Sequence, residues 1–259
     1  MEFLKSHRHR SRLSEVAYII LNLLLAAAML ATTYASNAPW IALALMLLSK
    51  WRIFAVRPRF WIANLIANMV DIIVGLSYVA LLYSLSGLLL AQIVLTVLYA
   101  GWLLLIKPRS KYIYMVVQAG LALFLGLTTL SMVAYEWNVA YFVAIAWVIG
   151  YVVARHIMNT YDQAYSNLYS LTAGLVTAEM GWISYHWLIA YPIPGISPVR
   201  LSQYALFMTL FYFVAERAFR SHHTHGSVRR NDVLPAIILT ALVLIVTYIF
   251  AIIYGSDAL

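Results

Sequence analysis

Residues 38–59 read APWIALALMLLSKWRIFAVRPR. The apolar run from Trp40 to Ser49 is broken by Lys50 and Arg52, then resumes over Ile53–Val56 before Arg57-Pro58-Arg59. Counting this stretch as a membrane crossing sets the parity of the whole chain. The count of segments 16–35, 38–56, 60–83, 87–106, 112–134, 139–155, 168–190, 201–219 and 233–254 is then nine. A crossing takes about 20 residues, and a terminal charge on such a segment is carried by snorkelling or by pairing.

Charge placement tests the count. Cytoplasmic loops collect Lys and Arg. With nine crossings and the N-terminus inside, sixteen of the seventeen Lys and Arg residues fall on the inner side, and only Arg200 falls outside. Dropping residues 38–56 would put Arg57 and Arg59 outside and destroy the agreement. The expected fold is therefore an all-α polytopic bundle of about nine transmembrane helices, N-terminus inside and C-terminus outside. It forms one domain over residues 1–259, with a basic cytoplasmic segment at 1–15 and a basic, His-containing cytoplasmic loop at 220–232.

Composition supports this reading. Of 259 residues, 64% are hydrophobic and 10% charged, against about 25% charged in a soluble domain. Mean hydropathy is +0.85. Nine crossings consume about 180 residues at that length, which leaves no soluble catalytic domain. The chain contains no cysteine, so thiolate metal sites, Fe–S clusters and cysteine nucleophiles are excluded. The run Val16–Ala35 exceeds a signal-peptide core, and no small-residue cleavage site follows it. It reads as a retained first helix in a plasma (inner) membrane, without a cleavable signal.

The turns on the outer side read as turns: Ser36-Asn37-Ala38-Pro39, Ser84-Leu85-Ser86-Gly87, Glu136-Trp137-Asn138 and the Pro-rich stretch Pro192–Pro198. Arg57-Pro58-Arg59 and Lys107-Pro108-Arg109 stand 50 residues apart. Bilayer thickness alone sets such a hairpin length, and Pro favours early helix positions, so the spacing reads as geometry, not duplication.

Ionisable groups at membrane depth cost at least about 2.5 kcal/mol each, so each needs a reason. Asp71 lies roughly 18 Å beyond Arg59 and Glu179 roughly 16 Å beyond Leu168, at the helical rise per residue. Asn64, Asn68 and Asp71 share one helix face. Glu179 and His186 share another, about 10 Å apart along the axis. These five residues form the expected polar midplane site of a small transporter or permeation protein. The competing structural reading pairs Lys50 with Asp71 and neutralises both.

Residues 155–167 offer His156, Asn159 and Asp162 as candidates for a headgroup site, and with it a lipid-modifying enzyme. The remaining alternative is an accessory or scaffold subunit of a membrane complex. His222, His223 and His225 crowd within one short stretch and do not read as a metal site. No catalytic residue, cofactor or metal is assigned. The basic inner side implies membrane lipids as partners, with anionic lipid at the cytoplasmic face. Nucleic acid is not expected, and a membrane-protein partner or a homo-oligomer is.

Overall fold

The computed structural model describes residues 12–108, 111–161, 165–187, 190–193 and 196–254. Among these it is almost wholly helical. The order is α1 (Arg12–Ser36), α2 (Trp40–Ser49), α3 (Trp61–Ser84), α4 (Leu89–Gly101), α5 (Tyr112–Val133), α6 (Val139–Met158), α7 (Ser166–His186), α8 (Gln203–His225) and α9 (Arg230–Tyr254). Six described segments are long and apolar enough to cross a membrane: Ser14–Ser36, Pro58–Ser84, Leu89–Ile106, Tyr112–Val133, Val139–Met158 and Arg230–Ile249. They support a helical integral membrane protein.

The other three helices fall short for distinct reasons. Helix α2 has 10 residues, about 15 Å at the helical rise. It stops at Ser49, and the chain continues through 3-10 turns at Trp51–Ile53 and Pro58–Phe60. Segment 38–56 is thus half a helix followed by an irregular stretch. Pro58 holds Arg57 in an extended conformation, and Lys50 turns to Asp71 on α3. Helices α7 and α8 are long enough but carry Glu179 and His186, and Glu216, Arg217 and Arg220.

One element departs from the all-α expectation. The Pro-rich outer stretch forms an antiparallel hairpin, Ala190–Ile193 (β1) with Ile196–Ser202 (β2), in register Ala190 to Ser202. Pro192 and Pro198 cannot continue a helix, and extended backbone accommodates their fixed φ. Helix α8 also runs farther than expected, to His225, and ends at Gly226 in the left-handed conformation (φ 71°). The expected loop 220–232 therefore shortens to the few residues around Gly226.

Helix α5 is the centre of the bundle. It packs against α3, α6 and α8, while α1, α2 and α4 gather around α3, and α9 leans on α8. Buried Ala119, Ala122 and Leu127 of α5 meet a core that includes Val74, Tyr78, Phe142 and Ala146. In lipid there is no hydrophobic drive between apolar helices, so close approach and hydrogen bonds hold them together.

The seam of α6 and α7 uses both. A Cβ placed on Gly150 would stand 2.3 Å from Thr177 Oγ1, and one on Gly174 would stand 3.0 Å from the Trp147 carbonyl oxygen. The Tyr185 hydroxyl of α7 donates to the Trp137 carbonyl in the turn before α6, and from the other side the Tyr204 hydroxyl of α8 donates to the Thr177 carbonyl of α7. Local caps start the neighbouring helices: Asn138 accepts from the Ala140 N–H at 2.9 Å, and Ser202 Oγ accepts from Ala205.

Candidate functional site

Asp71 is held from three sides. Lys50, at the C-terminal end of α2, donates to Oδ2. Lys107 Nζ lies 2.8 Å from the same oxygen. Trp102 Nε1 is 3.4 Å from Oδ1. Trp102 and Lys107 bracket a π-helical turn, Trp102–Ile106, closed by a Lys107 N–H to Trp102 carbonyl bond of 2.9 Å. Residues five apart in such a turn come onto one face, which an α-helix would not allow. The pair expected between Lys50 and Asp71 is present, and a third charge joins it. Two ammonium groups around one carboxylate leave the cluster with an excess positive charge.

Asn64 and Asn68 stand on the same side of α3 but do other work. Asn64 Nδ2 donates to the Ile53 carbonyl at 2.7 Å, and Trp61 Nε1 to the Val56 carbonyl at 3.0 Å. Both carbonyls belong to the irregular stretch after α2. Non-helical backbone at membrane depth needs such partners. Asn68 Nδ2 donates to the Asn64 carbonyl at 2.7 Å. The Asn-Asn-Asp face is a set of supports for the broken segment and for Lys50.

Two aromatic rings lie alongside. Tyr78 and Tyr99 stack at 4.0 Å. The Tyr78 hydroxyl meets Thr96 Oγ1 at 3.0 Å. The buried Tyr99 hydroxyl meets no hydrogen-bond partner among the described residues.

Glu179 is elsewhere. Gly150 of α6 faces Thr177, and Ala146 faces Gly181. Glu179 lies between these two contacts, and so level with the middle of the apolar helix Val139–Met158. It is exposed, as are Leu175, Val176, Trp182 and Ile183. It makes no hydrogen bond or ion pair with any described residue. His186, the last residue of α7, is also exposed and packs its ring on Trp182 at 4.8 Å. Asp71, enclosed by α2, α3 and the end of α4, and Glu179, outside on α7, do not form one site.

His156 turns into the bundle. Its Nε2 meets Gln118 Oε1 at 3.0 Å, and Gln118 Nε2 donates to the Ile106 carbonyl at 2.7 Å. Since an amide oxygen only accepts, Nε2 carries the proton. Asn159 caps the end of α6 and is exposed. Asp162 lies outside the described residues. His156 and Asn159 thus do not converge.

The acid missing from the sequence reading is Glu216, buried on α8. Tyr112 donates its hydroxyl to Oε1, and Tyr161 donates to the Tyr112 oxygen at 2.7 Å. Arg217 Nε is 3.6 Å from Oε2, and the Arg220 guanidinium lies 4.9 Å over the Tyr112 ring. Burial raises the Tyr161 phenol above its ordinary pKa, so it stays a donor; its bond to Tyr112 opposes this. The adjacent arginines make the segment read as the basic inner end of a helix, and the spacing Glu216 to Arg220 is the available signal.

The histidines at the end of α8 diverge. His223 packs on Tyr161 at 4.7 Å, and His225 Nε2 lies 3.6 Å from Asp232. Among the described residues no group of three or more His, Asp or Glu side chains could hold a metal ion. No family model, curated protein or solved structure matches the chain.

Proposed function

We propose that this chain is a subunit of a larger membrane assembly, joined to it through the outward face of α7. The observation that carries the reading is Glu179, exposed at the level of the middle of α6 with no partner among the described residues. A carboxyl group facing lipid there is costly. The other enclosed acids are answered from within: Asp71 by Lys50 and Lys107, and Glu216, at the end of the bundle marked by Tyr112 and Tyr161, by Tyr112 and Arg217. Native mass spectrometry of the protein gently extracted from its own membrane tests the reading. A species containing a second polypeptide is expected, and a lone protomer carrying only lipid overturns it.

A second reading, a permeation protein, has one specific support. The excess positive charge at Lys50, Asp71 and Lys107 lies beside a broken helix, a π turn and the unbonded Tyr99 hydroxyl. Discontinuous helices and π turns recur at ion and substrate sites. Reconstituted vesicles that leak no small anion, whether Lys107 is native or changed to Ala, would dispose of it.

The finer topology belongs to the same proposal. The chain crosses nine times in a plasma (inner) membrane, with α2 and the irregular stretch to Phe60 together making the second crossing. The N-terminus is inside, the C-terminus outside, and the inner Lys and Arg residues meet anionic lipid.

A further inference from the structure

We infer that the partner of α7 is a transmembrane helix of another polypeptide, carrying a Lys or Arg near its middle that pairs with Glu179. This rests on the reading of the chain as an assembly subunit.

The argument is charge complementarity at a fixed depth. The close seam with α6 sets Glu179 between the levels of Ala146 and Gly150, in the central part of an apolar helix of 20 residues. Around the acid the surface is apolar: Leu175 is 53% exposed, Val176 47% and Trp182 51%. An apolar face with one ionisable group at its centre suits a helix that is apolar except for one donor.

A second copy of this chain does not supply that donor. Two copies meeting along α7 bring Glu179 towards Glu179. Lys50 is buried against Asp71. Of the other described Lys and Arg residues, Arg217 and Arg220 lie in the C-terminal half of α8, engaged by Glu216 and by the Tyr112 ring. The rest lie near helix ends or in connections, from Arg12 at the start of α1 to Arg229 and Arg230 at α9, with Arg200 in the hairpin before α8. None stands at the middle of an exposed face. The cation therefore comes from a different chain. Arg and Lys reach such a carboxylate with charge-assisted hydrogen bonds, stronger where water is excluded.

The test uses the full chain in its native membrane, with a photo-crosslinking amino acid at Val176 or Ile183. The expected product is a covalent adduct with a second polypeptide, whose crosslinked peptide contains Lys or Arg inside an apolar stretch. Glu179→Ala should lower the adduct yield at least tenfold. Glu179→Lys combined with Glu at the partner's basic position should restore it. Glu179→Gln preserves side-chain shape and guards against a folding defect in the other variants. It too should lower the yield.

Adducts to lipid alone would overturn both this inference and the subunit reading. Adducts to a second copy, or to a helix without a base, would overturn this inference and leave the subunit reading standing. A yield indifferent to Glu179→Ala would do the same.

Discussion

Lys50 and Lys107 converge on a single oxygen, Oδ2 of Asp71. They reach it from opposite directions in the chain, one at the end of the half-helix α2 and one just past the π turn that closes α4. The carboxylate of α3 thereby ties the end of α2, where the irregular stretch begins, to the end of α4. This makes Asp71 the residue on which the N-terminal half depends.

Removing that carboxylate should cost more than removing either base. Asp71→Asn leaves two ammonium groups without a counterion, and breaking a buried pair in this way costs about 3–5 kcal/mol. Lys50→Met leaves Asp71 with Lys107 and should cost less. Lys107, one-third exposed (34%), should matter least. Denaturant titration in mild detergent would rank the three; equal losses would contradict the geometry.

The supports of the irregular stretch can be tested separately. Asn64→Ala strands the Ile53 carbonyl, a loss of about 1–3 kcal/mol for an unsatisfied buried group. The effect should be local. Because the chain has no cysteine, the single thiol of Val56→Cys reports it. Maleimide labelling of that thiol should accelerate when Asn64→Ala is added, while labelling of Ser86→Cys stays constant.

The α6–α7 seam should reject even one methyl group. Gly150→Ala meets both Oγ1 and Cβ of Thr177, at 2.3 and 2.6 Å. Overpacking of this kind costs about 1–3 kcal/mol. Thr177→Ala should rescue only part of it, because the Cβ remains. Melting curves of the two single variants and the double variant would show this, and full rescue would mean that the hydroxyl alone is the obstacle.

Tyr112 stands between Tyr161 and Glu216, so its loss should be felt twice. Tyr112→Phe removes the donor to a buried carboxylate and the acceptor for Tyr161; a bond to a charged group contributes about 1.5–3 kcal/mol. Tyr161→Phe removes only the outer link. The first variant should melt lower than the second, and the order reversed would place the stabilisation at Tyr161 instead.

The threading makes an equally direct prediction. Ser86 and Ser227 lie in turns at opposite ends of the bundle, and each can carry the only thiol of the chain as Ser86→Cys or Ser227→Cys. In intact cells, a membrane-impermeant maleimide should label the Ser86→Cys variant. The Ser227→Cys variant should stay unlabelled until the membrane is opened. The reverse pattern would invert the orientation, and labelling of both would break the crossing count.

Hydropathy period and charge placement are properties of consecutive residues. That is why eight of the nine segments read from the sequence fall on long described helices, while 38–56 is helical only over Trp40–Ser49 before its 3-10 turns. A crossing is a local event: each helix satisfies its own backbone, so its residues alone specify it. The Lys50–Asp71 pair was legible for a related reason, since a short connection brings those helices together.

Other features were decided only when the helices packed. Whether a polar residue on a helix faces a neighbour or lipid depends on helix rotation, which no stretch of residues encodes by itself. Asn64 turned out to hold a backbone carbonyl, His156 turned inward to Gln118, and Glu179 turned outward. Lys107 reached Asp71 through a π turn, and Glu216 found Tyr112 from more than a hundred residues away. The sequence determined which segments are helical and where charge lies along them. Tertiary packing alone decided which of those charges are answered within the chain and which faces out, because that balance is struck between side chains far apart in sequence.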